Sequence, residues 1–114
     1  MNINIDTFNK WALLDKDKGM ERGHASSVSK MFEIFESKSS IINIPFKFLD
    51  LGCGNGWVIR KILENQNCTY ALGVDGAPEM IKKARNLDSI GEYFNINIED
   101  WTFNKDYDII FSME

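Results

Sequence analysis

The chain has 114 residues, 44% of them hydrophobic and 26% charged, with a net charge of −4 and a pI near 5.0. That length describes one domain and that hydrophobic share an ordinary globule, while the acidic balance leaves no basic stripe to neutralise phosphates, which argues against a nonspecific nucleic-acid surface. No stretch approaches the length of a membrane span, and the opening residues MNINIDTFNKW carry no basic segment followed by an apolar run of the signal-peptide kind.

Ile3 to Lys18 reads as helical from Thr7 onward, with Phe8, Trp11, Ala12 and Leu14 able to share a face. DKDKGMERGH, Asp15 to His24, breaks that helix with two glycines among six charged side chains and reads as a flexible lid or connector. From Ser26 to Ser37 the apolar residues Val28, Met31, Phe32 and Phe35 recur at i, i+3, i+4 and i+7, the pattern of an amphipathic helix that covers a sheet, with Ser26 or Ser27 as its cap. A surface connection follows, and Pro45 marks the start of an extended segment.

The chain is organised around FLDLGCGNGW, Phe48 to Trp57. Phe48 to Leu51 reads as a buried parallel strand, and Gly52, Gly54 and Gly56 then turn the chain into a helix expected from Asn55 to about Asn65, with Val58, Ile62, Trp57 and Leu63 inward. Glycine takes positive φ and lets a ligand approach the backbone, so three in alternation leave a bare groove at the end of the strand. Asp50 offers a carboxylate at its rim. An acid beside a helix N-terminus suits a zwitterion. Cys53 lies in the loop and Cys68 at the far end of the following helix, so the two are expected to be free thiols in a reducing cytoplasm.

Tyr70 to Asp75 reads as the second strand, with Asp75 at its tip about 20 residues beyond the glycines, where a carboxylate can accept both hydroxyls of a ribose. The same residue can cap the helix that starts at Pro78 and runs to about Asn86, with Met80, Ile81 and Ala84 as its apolar side. Glu92 to Ile98 forms the third strand, ending in NIEDW. The fourth, Tyr107 to Ser112, is apolar on both faces at Ile109, Ile110 and Phe111 and suits the middle of a sheet. The sequence ends three residues after Phe111. No metal cluster, nucleophile elbow or GxxxxGKS phosphate loop is visible.

DLGCGNG at Asp50 to Gly56 resembles motif I of the class I S-adenosylmethionine-dependent methyltransferases of the small-molecule type. GVDGAPEMIKKAR at Gly73 to Arg85 is similar to their second strand and ribose-binding acid, NIEDW at Asn97 to Trp101 to their adenine-contacting segment, and YDIIFSME at Tyr107 to Glu114 to their fourth strand. The likeness covers Lys47 to Glu114. It implies an α/β fold, a Rossmann-like parallel sheet of order 3-2-1-4 with helices on both faces, in which 1–46 is a helical lid region, 47–114 is the cofactor-binding half, and the C-terminal half is absent.

The cofactor implied is S-adenosyl-L-methionine. Its contacts by resemblance are Asp50, Gly52, Cys53, Gly54, Gly56 and Trp57 around the loop, Asp75 and Gly76 at the ribose, Met80 against the adenosine, Asn97, Ile98 and Glu99 at the adenine, and Ser112 at the end of the fourth strand. The family's usual adenine acceptor is an acid. This register puts Asn97 there, whose carbonyl can still accept, and a shift of two or three residues gives the role to Glu99 or Asp100, with Ile98 and Trp101 flanking the ring. Trp11, Met20, Arg22 and His24 become candidates for the substrate side, with His24, the single histidine, as the candidate base.

The function expected is transfer of a methyl group to a small-molecule acceptor in the cytoplasm, with no nucleic-acid or membrane partner. The alternative is a non-catalytic module that holds S-adenosylmethionine or S-adenosylhomocysteine. The unpaired fourth-strand edge implies either a truncated product of a longer reading frame or a homodimer joined there. A dinucleotide-binding domain does not fit, because GxGxxG would need a third glycine where Trp57 stands.

Overall fold

The computed structural model describes residues 29, 30, 33, 44–100, 102 and 106–112. Residues 29, 30 and 33 are helical. The rest of the expected lid and N-terminal helices, with Trp11, Met20, Arg22 and His24, lies outside the described residues, as does Trp101.

Four strands and two helices follow in order: β1 (Phe46–Leu51), α1 (Trp57–Ile62), β2 (Cys68–Asp75), α2 (Pro78–Leu87), β3 (Glu92–Asn95) and, after a 3-10 turn at Ile98–Asp100, β4 (Ile109–Ser112). All pairings are parallel and the sheet order is β3-β2-β1-β4, as the resemblance implied. β1 occupies the interior because its apolar residues Phe46, Phe48, Leu49 and Leu51 fall on both faces of the strand, which suits a strand covered on both sides.

Connection handedness sorts the faces. The steps from β1 to β2 and from β2 to β3 move in the same direction across the sheet, so right-handed crossovers put α1 and α2 on the same side. There Phe46, Phe48, Ala71, Tyr93 and Phe111 of the strands pack with Val58, Ile59 and Ile62 of α1 and Ile81 and Ala84 of α2. The return from β3 to β4 passes back over β2 and β1 and belongs on the other side, where Leu49, Leu72 and Val74 are covered by Ile96, Ile98 and Tyr107. Among the described residues α1 and α2 share one face, and an irregular segment with one 3-10 turn lies on the other.

Boundaries moved where local bonds compete with the pattern. α1 begins at Trp57 rather than Asn55, because Gly56 sits at φ 82 and cannot belong to a right-handed helix. It ends at Ile62 rather than Asn65, because the chain tightens through Glu64 N–H to Lys61 O (3.2 Å) and Asn65 N–H to Ile62 O (3.0 Å) toward β2. Ile59, unassigned by the pattern, is buried beside Val58 and Ile62. β3 stops at Asn95 rather than Ile98. β4 is an edge strand among the described residues, as the order 3-2-1-4 implies, and its apolar Ile110 is 54% exposed rather than covered.

Cys53 and Cys68 are both free. Among the described residues no helix is long and apolar enough to cross a membrane, and no group of three His, Cys, Asp or Glu side chains is placed to hold a metal ion.

Candidate functional site

Strand order reverses between β1 and β4: the chain leaves β1 toward β2 and β3 and comes back to β4 on the opposite side. In parallel α/β sheets such a reversal opens a crevice beyond the carboxyl ends of the strands. Those ends are level here, with Leu51 beside both Ser112 of β4 and Val74 of β2, and Asp75 beside Asn95 of β3. Ser112 is exposed at the crevice.

The glycine loop fills the near side of that crevice. Gly52, Gly54 and Gly56 adopt φ values of 80, 55 and 82, so all three positions need the left-handed region that the sequence reading assigned to them. The middle and last glycines differ in what surrounds them. A methyl group built on Gly54 meets nothing within 4 Å, whereas one on Gly56 would lie 2.7 Å from the Tyr93 ring. Gly54 is thus the bare point of the groove.

Five backbone donors of the loop are already used. Gly52 and Cys53 both donate to Val74 O (2.8 and 3.0 Å), Gly56 donates to Cys53 O (3.0 Å), Trp57 donates to Asn55 Oδ1 (3.1 Å), and Gly54 donates to Asp75 Oδ2 (2.9 Å). Arg60 reaches back from α1 to Asn55 O at 2.6 Å. At the start of α1, which has six residues, the Trp57 N–H is taken by the side chain of Asn55, which is 2% exposed. Asn55 was missed because an Asn between two glycines reads only as turn chemistry.

Asp75 fills the capping role weighed for it and lies against the glycine loop. Its Oδ1 accepts the Ala77 N–H (2.8 Å) at the start of α2, and its Oδ2 accepts the Gly54 N–H, so the acid and the glycine loop are in direct contact.

Asp50 departs from the expected rim position. It is 2% exposed, flanked in register by Gly73 and Phe111. Burial, with the charge of Asp75 adding to it, pushes its pKa from 3.8 up to about 8. A carboxyl held above its unfolded value keeps a proton that the unfolded chain has already lost, so its stabilising contribution is complete below pH 3.8 and is lost as pH rises toward 8. The slope is on the order of 1.4 kcal/mol per pH unit for one proton. Urea titrations between about pH 5 and about pH 8 should show the wild type losing stability with rising pH and Asp50→Asn losing much less; parallel curves for the two would contradict a neutral buried acid.

Other expected contacts fall into two groups. Met80 is corrected: at 0% exposure it is enclosed in the core beneath α2 and has no surface to pack on a nucleoside. The Cys53 side chain is likewise buried, its thiol pushed well above its ordinary pKa by burial, so only its backbone borders the groove. Trp57 is half-buried against the core and Gly76 is half-buried beside Asp75. Beyond β3, Asn97 is exposed and its Oδ1 accepts the Glu99 N–H (3.2 Å), while Glu99 and Asp100 expose their carboxylates and Ile98 packs under them on the second face.

The family described as Methyltransferase domain matches residues 48–114, more than half of the chain. The malonyl-acyl-carrier-protein O-methyltransferase of Acetivibrio thermocellus is 28% identical over 95 residues, which are 82% of this chain and 31% of that relative. The trans-aconitate 2-methyltransferase of Rhodopseudomonas palustris is 28% identical over 68 residues, 60% of this chain and 27% of that relative. Among solved structures, a chain of the complex between a Haloferax volcanii methyltransferase activator and a methyltransferase superposes with a TM-score of 0.71 at 26% identity, covering 94% of this chain and 46% of that one. This chain spans less than half the length of each.

Proposed function

Because this chain belongs to the methyltransferase domain family, we propose that residues 47–114 are an S-adenosylmethionine-binding half-domain serving methyl transfer to a small-molecule acceptor. One observation carries the reading: the Gly54 N–H bonds Asp75 Oδ2 at 2.9 Å, which brings the bare-backbone loop and the ribose-type acid to the same place, as one ligand spanning both requires. The open space over Gly54 supports the fit.

When bound, S-adenosylmethionine supplies a methyl group already activated on a sulfonium sulfur. What this chain contributes is placement. Gly52, Gly54 and Gly56 let the backbone come close, Asp50 provides an acid that a cationic ligand can ionise, and Asp75 with Gly76 addresses the ribose. Ile98 and Glu99, with Asn97 or Asp100, stand toward the adenine, and Trp57 and Ser112 border the two sides of the loop. Displacement at a methyl carbon demands alignment and exclusion of water more than acid–base chemistry. The names of the two relatives, one acting on a malonyl group and one on trans-aconitate, support a small-molecule acceptor.

The second reading is a module that binds the cofactor without catalysis, since the described site supplies placement and no side chain assigned to proton transfer. Calorimetry with S-adenosylmethionine and S-adenosylhomocysteine, alongside transfer of labelled methyl groups to extract metabolites, separates the two. Binding with transfer supports the enzyme, binding alone supports the module, and no binding overturns both. Cytoplasmic placement belongs to the proposal and is supported by the two free thiols. So does pairing of two copies along the outer edge of β4, where Ile110 is exposed. Size-exclusion chromatography should then return a dimer that Ile110→Lys converts to a monomer; a monomeric wild type removes the pairing.

A further inference from the structure

Tyr93, in β3, has no part in any contact expected of the cofactor site, yet its ring runs directly beneath the glycine loop. A methyl group built on Gly56 would sit 2.7 Å from its Cε1, 2.8 Å from its hydroxyl oxygen and 2.9 Å from its Cζ. One built on Gly73 would lie 3.1 Å from its Cδ1, and one on Gly91 3.2 Å from its hydroxyl. The ring therefore lies in a slot lined by three missing side chains, one each from the loop, from β2 and from the turn before β3. The contacts at Gly56 are shorter than real Cβ atoms essentially ever show, so that wall of the slot requires glycine, whereas at Gly73 and Gly91 the ring would have to give by a few tenths of an ångström.

Both ends of the ring are held. The hydroxyl donates to Asp88 Oδ2, an oxygen that also accepts the Gly91 N–H at 3.1 Å, while Asp88 Oδ1 accepts the Ile90 N–H at 2.9 Å. The Tyr93 carbonyl accepts a bond from Arg85 at 2.6 Å. Burial and the Asp88 carboxylate push the phenol pKa upward, so the hydroxyl stays a donor. The Cys53 side chain closes the slot near Gly73, where an added methyl would lie 2.8 Å from its Cβ and Sγ. A rigid aromatic post thus stands between the α2–β3 turn and the last glycine of the loop, the residue at which the chain enters α1.

We infer that Tyr93 is a positioning residue for the cofactor loop: its ring fixes the height of Gly56, and through Gly56 the course of residues 52–56 that would face the amino-acid portion of the ligand. This rests on the proposed function for the ligand's identity but not for the packing. A loop of small residues has few side chains of its own to hold it in place, so the support must come from below.

Two measurements test it. Hydrogen exchange in the free protein should show residues 52–57 exchanging faster in Tyr93→Leu, with β1 and β4 little changed and Tyr93→Phe close to wild type; an increase spread evenly over the sheet would mean that Tyr93 merely contributes bulk stability. Should the leucine variant fail to fold, Tyr93→Met fills the slot more fully and is read the same way. Calorimetry then compares S-adenosylhomocysteine with methylthioadenosine, which lacks the amino-acid tail. Tyr93→Leu should weaken the first by about tenfold and the second by less than about twofold, with Tyr93→Phe restoring both. Equal losses for the two ligands would overturn the inference. A wild type that binds neither compound would remove the methyltransferase reading while the exchange result still decides the role of Tyr93.

Discussion

Gly56→Ala is expected to be among the most damaging single-methyl changes available in this chain, lowering stability by about 2 to 5 kcal/mol. Two costs combine. The backbone at φ 82 is unfavourable for any L side chain by roughly 1 to 2 kcal/mol, and the new methyl would press on three atoms of the Tyr93 ring at 2.7 to 2.9 Å, an overpacking that costs about 1 to 3 kcal/mol where neighbours cannot yield. The ring cannot yield easily, because Asp88 holds its hydroxyl. Gly54→Ala provides the control: the φ is positive but nothing lies within 4 Å, so only the backbone cost applies. Urea midpoints should therefore rank wild type above Gly54→Ala above Gly56→Ala. Adding Tyr93→Leu to Gly56→Ala should recover part of the loss, a non-additivity that contact between two side chains requires. If Gly56→Ala were as stable as Gly54→Ala, the slot would not be as tight as described.

Asp75→Ala should act on fold and ligand together. The Ala77 N–H loses its acceptor at a buried residue, and the Gly54 N–H loses its acceptor at a half-exposed one, where water can substitute. Only the first leaves a buried donor unsatisfied, which puts the loss of stability at about 1 to 3 kcal/mol. Affinity for S-adenosylhomocysteine should fall by on the order of 1.5 to 3 kcal/mol through the lost charge-assisted bonds. Asp75→Asn is not a mild alternative, because both carboxylate oxygens accept from backbone N–H groups and an amide must turn its NH2 toward one of them. Removing the charge at 75 should also let Asp50 ionise at lower pH, since that charge is one of the two causes of its raised pKa. Chemical denaturation and calorimetry on the two variants check all three; unchanged affinity in Asp75→Ala would place the ribose elsewhere.

β1 and β2 could be read from the sequence because each is a largely apolar run closed by a glycine or an acid, whereas the order of the sheet came from the family resemblance that the motifs carry. Left-handed turns at 52, 54 and 56 were legible because only glycine tolerates them. Depth was not. Asp50 was read as a surface acid because its neighbours in sequence are a strand and a loop, yet the partners that bury it, Gly73 and Phe111, come from other strands. Met80 failed likewise, since an apolar residue in the first turn of a helix can face a pocket or a core and periodicity does not say which. Tyr93 was invisible as a support because its significance lies in what Gly56, Gly73 and Gly91 lack. The N-terminal assignments stand apart, lying outside the described residues.

The fully committed amides of residues 52, 53, 54, 56 and 57 have a consequence for how a ligand arrives. A loop fastened beforehand in this way has little ordering of its own left to perform when a ligand arrives, so it should add no folding step to capture. The heat capacity of association should accordingly carry no contribution from ordering residues 52–57.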